Sequence, residues 1–251
     1  MRKKIKRFLR ELRGRVALRA ALRRGGPLGD LTRYERSVHS QNGEDGILEA
    51  IFARIGPGGR SFVEFGVEDG LECNTRHLAE HHGWSGLLMD GGHEDARRNL
   101  RREMITAENV VGLFRQYGVP AALDLLSIDI DGNDYWVWRA LAPHWRARVV
   151  VIEYNASEGP EASTSIVYDP AFRWDETDYM GASLGALVAL GATHRYTLVA
   201  CDSRGVNAFF VADELVEGNF TRRPAAELWR PPRFLDGGGH RRHPSRRLQP
   251  V

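Results

Sequence analysis

The residues of this chain that are most able to do chemistry stand at the ends of two apolar runs. The first run ends at Glu64 and is followed by Gly66 and Gly70, and the second ends in Asp129 and Asp131. An apolar run followed by a helical pattern predicts a buried parallel strand that leads into its helix. Ligands bind in the crevice beyond the carboxyl ends of such strands, so both sets of acids stand where a ligand would bind.

The spacing after the first run favours a ligand that contains a nucleoside. Gly66 permits a tight turn with a close approach of the backbone, and Gly70 could open the next helix. The following apolar run ends at Asp90. An acid roughly 20 residues beyond a glycine turn is typical of residues that hold a ribose diol. Glu64 could accept hydrogen bonds from an ammonium or hydroxyl group of the same ligand.

Two further polar segments supply candidate cofactor contacts. The stretch at 40–46 is more polar than helix capping requires, and it could fold over the mouth of a cofactor site. After the third predicted strand, an acid and an amide could contact an adenine edge, although such residues at helix starts also serve as caps. The predicted contacts from these two segments are Gln41, Glu44, Asp45, Glu108 and Asn109.

A cluster of acids is predicted where the fourth and fifth strands end. Asp129 and Asp131 follow one strand, and Glu153 ends the next. Neighbouring acids raise one another's pKa, which suits a general base, so these three are the catalytic candidates. With Asn133 they could instead hold Mg²⁺ or Ca²⁺, but the spacing is not that of a calcium loop, and we do not favour a metal. Asp131 and Asp134 could also simply cap the following helix.

The alternation of strand and helix patterns predicts an α/β fold. Five strand–helix units imply a parallel sheet with helices on both faces, and a closing hairpin adds one antiparallel strand. We therefore expect a Rossmann-like, seven-stranded, mostly parallel sheet with a C-terminal antiparallel hairpin strand. An irregular stretch at 156–181 carries Tyr168, Trp174 and Tyr179, which could stack on a sugar or pin the loop. Strands are predicted at about 61–66, 85–90, 104–107, 124–130, 149–154, 196–201 and 208–211, and helices at about 72–82, 93–103, 108–117, 133–142 and 183–191.

Charge divides the chain into three regions. Residues 1–30 carry 11 Lys/Arg against 2 Asp/Glu, and residues 222–251 carry 8 against 2. Because the whole chain has a net charge of +2, residues 31–221 carry −13. An acidic body argues against nucleic acid as a partner, since neutralising phosphates requires Lys/Arg. We expect an N-terminal helix and linker at 1–30, one α/β domain at 31–221, and a basic, disordered tail at 222–251.

The N-terminal segment has the pattern of a basic amphipathic helix. Residues 2–24 place apolar side chains at helical spacing among Lys and Arg. Such a helix could contact an anionic membrane surface or a protein partner, or it could only cap the domain. No apolar run approaches the roughly 20 residues of a membrane span, and Cys73 and Cys201 match no zinc or disulfide pattern. We therefore expect a cytoplasmic protein, with this helix as a candidate peripheral membrane contact.

The second acidic segment resembles a motif of a known family. Leu126-Ser127-Ile128-Asp129-Ile130-Asp131-Gly132 is similar to the fourth-strand motif of FkbM-like methyltransferases, and the segment 150–155 is similar to their fifth strand. The glycine turn and Asp90 are similar to the family's first two motifs, and the resemblance spans roughly residues 38–212. The chain departs from the family at Glu68, where glycine or asparagine is usual, and at Ser127, where a basic residue is expected.

The resemblance implies an S-adenosylmethionine-dependent methyltransferase that acts on a hydroxyl group of a small molecule or glycan. Glu64 would receive the methionine amine, Asp90 would hold the ribose hydroxyls, and Asp129 would lie near the transferable methyl group. Methyl transfer is a direct displacement at carbon, so positioning dominates the catalysis. The alternative, prompted by Glu68, is a non-catalytic or divalent-metal-binding relative that keeps the sheet and binds another ligand.

Overall fold

The computed structural model describes residues 14, 16–233 and 238–251. Residues 16–24 are helical, and Leu18 is buried against the domain. The remainder of the predicted amphipathic helix at 2–24 lies outside the described residues, so its contact with a membrane or partner stays a prediction. Within the described part of the chain, no helix is long and apolar enough to cross a membrane.

A seven-stranded sheet forms the centre of the fold. The strands in chain order are β1 (Ser61–Phe65), β2 (Ser85–Asp90), β3 (Leu100–Arg102), β4 (Leu125–Ile128), β5 (Val149–Glu153), β6 (Thr164–Ser165), β7 (Tyr196–Cys201), β8 (Asn207–Ala212) and β9 (Gln249–Pro250). The order across the sheet is β3-β2-β1-β4-β5-β8-β7. Within this sheet β8 runs antiparallel to both of its neighbours, β5 and β7, and the other six strands run parallel to one another. The strands β6 and β9 form a separate two-stranded sheet. The predicted Rossmann-like α/β fold with a closing antiparallel hairpin is therefore confirmed.

Helices cover both faces of the sheet because its strands are apolar on both sides. The helices are α1 (Glu44–Ile55), α2 (Arg76–His82), α3 (Val110–Gln116), α4 (Asp134–Leu141), α5 (Leu184–Thr193) and α6 (Ala225–Leu228). Successive residues of a strand point to opposite faces, so Val63 packs with α3, α4 and α5, whereas Phe62 packs with α1 and α2. Both faces are closed, and the carboxyl edge of the sheet is left for a ligand.

The third strand lies earlier in the chain than predicted. We expected a helix at 93–103 followed by a strand at 104–107, but β3 is Leu100–Arg102. Only one 3-10 turn, Ala96–Arg98, precedes it, and Asn99 ends this turn in the left-handed region with φ 55°. Leu100 is fully buried and pairs with Leu88, so the burial of one apolar side chain decides where this edge strand forms.

The C-terminal region differs from the expected disordered tail. Leu228, on α6, is buried in the core. The backbone carbonyl of Arg230 accepts a hydrogen bond from the Tyr154 hydroxyl at 3.0 Å. Near the C-terminus, β9 pairs with β6, which lies in the irregular stretch at 156–181. The composition did not predict this ordered structure, because it depends on pairing with a strand far away in the sequence. The domain boundaries at residues 30 and 221 stay predictions.

The first turn of α1 packs tightly under the preceding chain. The Gly46 amide donates a hydrogen bond to the Arg36 carbonyl oxygen at 3.2 Å. A Cβ atom at Gly46 would lie 1.9 Å from the carbonyl oxygen of Tyr34 and 2.7 Å from the amide nitrogen of Arg36. Both are backbone atoms, which cannot rotate away as a side chain can. Glycine is therefore required for α1 to dock against residues 34–36.

We predict that Gly46→Ala destabilises the protein by about 1–3 kcal/mol, the usual cost of overpacking a close contact. Gly112→Ala is the matched control, because Gly112 is an exposed helical glycine with open space around its Cβ position. Removing the flexibility of that glycine should stabilise α3 by about 0.5–1 kcal/mol. Urea unfolding followed by circular dichroism measures both. Equal stability of the two variants would contradict the tight packing of α1.

Candidate functional site

Two adjoining cavities open at the carboxyl ends of β1, β2, β4 and β5. The larger, which we call the acidic cleft, has a volume of about 510 Å³. Its described lining residues include nine Asp or Glu side chains and no Lys or Arg. The smaller, which we call the side pocket, has a volume of about 310 Å³. The two cavities share Gly66, Asp90, Asp131 and Trp174, so a single ligand could occupy both.

The structure brings most of the predicted site residues to the acidic cleft. Those that line it are Gln41, Glu44, Glu64, Gly66, Asp90, Asp129, Asp131 and Glu153. Four others are absent from the described lining of both cavities: Asp45, Gly70, Glu108 and Asn109. Lining a cavity does not by itself free a side chain for a ligand, so the hydrogen bonds of each acid decide what it can do.

The turn after β1 is held against the end of β4. Gly66 has φ 66°, and a Cβ atom there would lie 1.5 Å from the carbonyl oxygen of Asp129. The Gly66 amide also donates to the carbonyl oxygen of Met89 at 3.0 Å, which ties the turn to β2. Glu68 adopts φ 48° in the same turn, and its amide donates to Asp90 Oδ2 at 2.9 Å. Three strand ends thus converge on this glycine.

Asp90 closes β2 and remains a carboxylate. Its Oδ1 accepts hydrogen bonds from the Gly92 amide at 2.7 Å and from the His93 amide and Nδ1, each at 3.0 Å. Burial alone would raise the pKa of Asp90, but these bonds and the one from Glu68 hold that pKa below its ordinary value. Among the described residues, Glu68 supplies the one hydrogen bond to Oδ2, so this oxygen can accept another from a ligand hydroxyl.

Glu64 serves the protein's own chain. One oxygen accepts from the Asn74 amide at 2.8 Å and the Ser127 hydroxyl at 3.2 Å, and the other accepts from the Thr75 amide at 2.9 Å and hydroxyl at 2.6 Å. The side chain is buried, and this burial raises its pKa against the effect of those bonds. Glu64 therefore anchors the start of α2. A direct contact between Glu64 and a methionine amine would require one of these bonds to be exchanged.

Glu44 and Asp45 likewise shape the segment 38–42, which we call the lip of the cleft. Glu44 accepts from the amide and side chain of Asn42 at 2.7 and 3.1 Å, and from the Asn207 side chain at 2.9 Å. Asp45 Oδ2 accepts from the amides of residues 38, 39 and 40 at 2.7, 2.8 and 2.9 Å. Both acids are buried. They hold the lip in place, and the exposed Gln41 forms its outer edge.

The predicted adenine contacts at the start of α3 are engaged elsewhere. Glu108 accepts a hydrogen bond from the Tyr168 hydroxyl. Asn109 accepts from the Thr106 amide at 2.9 Å and donates to the Met104 carbonyl oxygen at 2.7 Å. The two bonds of Asn109 stabilise the turn before α3. The bond between Glu108 and Tyr168 fastens the irregular stretch at 156–181 to the start of α3. Neither side chain belongs to the described lining of the side pocket.

The side pocket has apolar walls that the sequence did not indicate as a site. Ile105, Ile130 and Phe172 line it, together with the half-exposed Met104. Trp174 lies between the two cavities, with its ring 4.6 Å from that of His240. The one available signal was Met104, a large apolar residue just beyond the charged end of β3. The other three come from separate segments, and only the fold brings them together.

Asp129, Asp131 and Glu153 form the cluster of acids predicted at the ends of β4 and β5. One carboxylate oxygen from each lies within 4.8 Å of the others. Burial, followed by the charge of Asp131, raises the pKa of Asp129 well above its ordinary value. Burial and then Asp129 do the same for Glu153, whose buried Oε2 has no hydrogen-bond partner in the described structure. This cluster can accept a proton or hold a cation.

Asp134 stabilises the turn that carries Asp131. Its two oxygens accept hydrogen bonds from the amides of Ile130 and Gly132, each at 2.9 Å. Burial raises its pKa to about 6. Asp134 thereby shapes the turn after β4, in which Asp131 adopts φ 57°. Asp134 is therefore a structural residue, but it braces the turn before α4 rather than capping the helix as the alternative supposed. Asp131 is exposed and lines the acidic cleft.

Comparisons with known proteins give a weak structural similarity. No protein-family model matches the chain, and no curated protein sequence matches it. Among solved structures, an O-methyltransferase family protein from Burkholderia thailandensis is similar over 67% of this chain, with 10% sequence identity and a TM-score of 0.37. The match covers 57% of that protein, which is less than two thirds of its length. A similarity this low supports no inference about activity.

We predict that Asp129→Asn stabilises the protein at neutral pH and has little effect near pH 4. When folding raises the pKa of a carboxyl, the folded protein loses stability as pH rises from the unfolded pKa of that carboxyl, about 3.9, through its folded pKa. The amide resembles the protonated carboxyl, so it removes this loss, which amounts to about 1.4 kcal/mol for each unit of pKa. Thermal unfolding from pH 4 to 8 measures the difference between wild type and variant.

The control for this pH series is Glu217→Gln, which neutralises an exposed acid outside the described lining of both cavities. Its melting temperature should follow that of wild type at every pH. A pH-independent effect of Asp129→Asn would show that repulsion and burial do not act on this carboxyl.

Proposed function

We propose that this chain is an FkbM-like, S-adenosylmethionine-dependent methyltransferase that acts on a hydroxyl group of a small molecule or glycan. The observation that carries the proposal is the pair of adjoining cavities at the carboxyl edge of the sheet, which meet at Gly66 and Asp90. Parallel sheets bind nucleoside ligands at this edge, where a glycine turn lets the backbone approach and an acid meets the ribose.

The residues present fit the adenine, the ribose and the cationic groups of this cofactor. The apolar side pocket, with Ile105, Ile130 and Phe172, suits an adenine ring. Asp90 has an oxygen that can take one more hydrogen bond, which suits a ribose hydroxyl. The acidic cleft suits the two cationic groups of the methionine portion, its ammonium and its sulfonium, whereas the methionine carboxylate finds no Lys or Arg among the described lining residues. When bound, S-adenosylmethionine supplies an electrophilic methyl group on a positively charged sulfur atom.

The charge of the cleft restricts the acceptor. Nine acidic side chains line it, and no Lys or Arg is among its described lining residues. A phosphorylated or carboxylated acceptor would meet repulsion at close range without a compensating cation. A neutral hydroxylated compound or a cationic one would not. Trp174 stands at the junction of the two cavities, and its ring face could stack on a sugar.

The chain's own chemical task is to take the proton of the acceptor hydroxyl. Asp129 and Glu153 are the bases for this task, because burial and the charges of neighbouring acids raise their pKa values well above the ordinary range of a carboxyl. A base of this kind works only when it is ionised, so activity should rise as pH increases through the raised pKa. Close positioning of hydroxyl and methyl carbon supplies the remainder of the rate increase.

We predict that the wild-type protein binds S-adenosylhomocysteine and that Asp90→Ala binds it at least about tenfold more weakly. The loss of one hydrogen bond to a charged group costs about 1.5–3 kcal/mol, which is at least a factor of ten. Isothermal titration calorimetry measures both dissociation constants, and circular dichroism verifies that the variant is folded. The matched control is Glu94→Gln, which neutralises an exposed acid four positions away and should bind like wild type.

Two results would refute the methyltransferase proposal. The first is that wild-type protein gives no heat of binding with S-adenosylhomocysteine. The second is that a folded Asp90→Ala variant binds as tightly as wild type, since the ligand would then sit elsewhere.

A second candidate function is that of a divalent-metal-binding relative without methyl transfer. The observation that favours it is the cluster of Asp129, Asp131 and Glu153, whose oxygens lie within 4.8 Å of one another, with Glu153 Oε2 buried and lacking a partner in the described structure. Hard oxygen ligands at such separations suit Mg²⁺ or Ca²⁺. A cation there would also relieve the repulsion among the carboxylates.

We predict that Mg²⁺ or Ca²⁺ raises the melting temperature of the wild type if this second candidate is correct, and that Asp131→Asn removes the increase. Asp131 is the exposed member of the cluster, so its replacement disturbs folding least. Adding S-adenosylhomocysteine in a parallel scan separates the candidates. A shift with metal alone supports the second, a shift with the nucleoside alone supports the first, and no shift with metal excludes the second.

A further inference from the structure

A separate group of ligating side chains joins the lip to α2. His39 lies on the lip, and Glu80 and His81 lie on α2, with one ligating atom of each within 4.8 Å of the others. We propose that these three residues bind a zinc ion, which fastens the lip of the cleft to α2. The proposal is independent of the function proposed for the cleft, since none of the three belongs to its described lining.

The spacing of the atoms fits a shared ion. His39 Nε2 lies 3.2 Å from Glu80 Oε2. Two ligands of a tetrahedral zinc with bonds of about 2.0–2.1 Å lie roughly 3.3–3.4 Å apart. Despite this proximity, His39 Nε2 is buried and forms no hydrogen bond within the described residues. The nitrogen and the oxygen are therefore near each other without the alignment of a donor and an acceptor, as expected for two atoms directed at a common point.

Neighbouring residues hold the three proposed ligands in position. Asp45 accepts a hydrogen bond from the His39 amide at 2.8 Å, which sets the backbone position of that histidine. Arg76 Nε donates to Glu80 Oε1 at 2.7 Å and so leaves Oε2 for an ion. The ring of His81 lies 4.8 Å from that of His77, with an angle of 35° between their planes. Hydrogen bonds to a ligating side chain, such as the one from Arg76 to Glu80, orient metal ligands and raise affinity.

The ligand set selects zinc over magnesium. Two imidazoles and one carboxylate are a combination that zinc binds in proteins, with a fourth position left for water. Magnesium instead prefers oxygen ligands in octahedral geometry. Glu80 and His81 are exposed, so water can reach the fourth position. The cluster at Asp129 contains only oxygen ligands, and the two sites should therefore differ in the metal they prefer.

A neighbouring triad is a poorer zinc site. Glu49, His77 and His82 also bring ligating atoms within 4.8 Å. However, the Arg36 guanidinium donates to Glu49 and lies 2.9 Å from His77 Nε2. The Arg36 guanidinium therefore stands against two of the three ligands, including the nitrogen His77 Nε2, and repels a divalent ion there. Of the three ligands in the first triad, Arg76 donates to Glu80 Oε1 alone, and no hydrogen bond joins it to either histidine ring within the described residues. Zinc should consequently bind at His39, Glu80 and His81 rather than at this second triad.

Zinc at this place would restrict the movement of the lip. Ser40, Gln41 and Asn42 follow His39 directly and line the acidic cleft. The start of α2 is itself anchored to the sheet, because Glu64 binds the amide and hydroxyl of Thr75. An ion that joins His39 to α2 would therefore connect the lip to the sheet. Local opening of the lip would become rarer, and its backbone amides would exchange more slowly.

The test uses the full chain without an affinity tag, titrated with zinc chloride in a calorimeter. We expect one zinc ion for each chain in the wild type. His39→Ala and His81→Ala should each weaken binding at least about 100-fold, since even residues that only support a ligand cost 10–100-fold when removed. His82→Ala is the matched control, because it removes the adjacent histidine on the same helix and should bind like wild type.

A second measurement follows hydrogen exchange of residues 38–42 with and without zinc. Exchange should slow in the wild type and in His82→Ala, but not in His81→Ala. The proposal is overturned if wild type binds no zinc, if His82→Ala abolishes binding while His81→Ala retains it, or if Asp131→Asn removes the zinc site. The first outcome excludes a site, and the other two place the ion in the second triad or in the cluster of the cleft.

Discussion

The contact between Gly66 and the carbonyl oxygen of Asp129 is the constraint on which the rest of this site depends. A Cβ atom at Gly66 would lie 1.5 Å from that oxygen, so the ends of β1 and β4 can meet only because this residue has no side chain. The contact brings the turn after β1 next to Asp129, and the Glu68 amide in that turn then reaches Asp90. Three strands thereby present their acids to one space, which is the condition for a ligand to bridge them.

The acids at this edge divide into two groups according to their hydrogen bonds. Glu64, Glu44 and Asp134 accept bonds from neighbouring amides and side chains, and these bonds build the loops around the cleft. Asp129 and Glu153 are different, because no such hydrogen bond to their carboxylates lowers their pKa values in the described structure, whereas burial and neighbouring acids raise them, and Glu153 Oε2 lacks a partner. An unsatisfied buried polar atom is costly, and a proton, a water molecule or a ligand that reaches Glu153 Oε2 would remove that cost.

The sheet and the position of its acidic edge could be predicted, because long apolar runs report burial on both faces and their ends mark the carboxyl edge. The predicted position of the short strand β3 was wrong, because Leu100 is its one buried apolar residue and a single residue makes no periodic pattern. The roles of Glu64 and Glu108 were also beyond the sequence. Whether an acid meets a ligand or an amide depends on neighbours such as Thr75 and Tyr168, which reach it only after folding.

The remaining question is why a protein would gather carboxylates that repel one another. Each buried ionised acid costs free energy, and no Lys or Arg among the described lining residues of the cleft compensates for this cost. A protein can reduce the cost by protonation, which the raised pKa values of Asp129 and Glu153 already indicate. A cationic ligand reduces it further, because it converts repulsion into attraction. The cleft is therefore destabilised when empty, and part of the free energy of binding a cation comes from the relief of that repulsion.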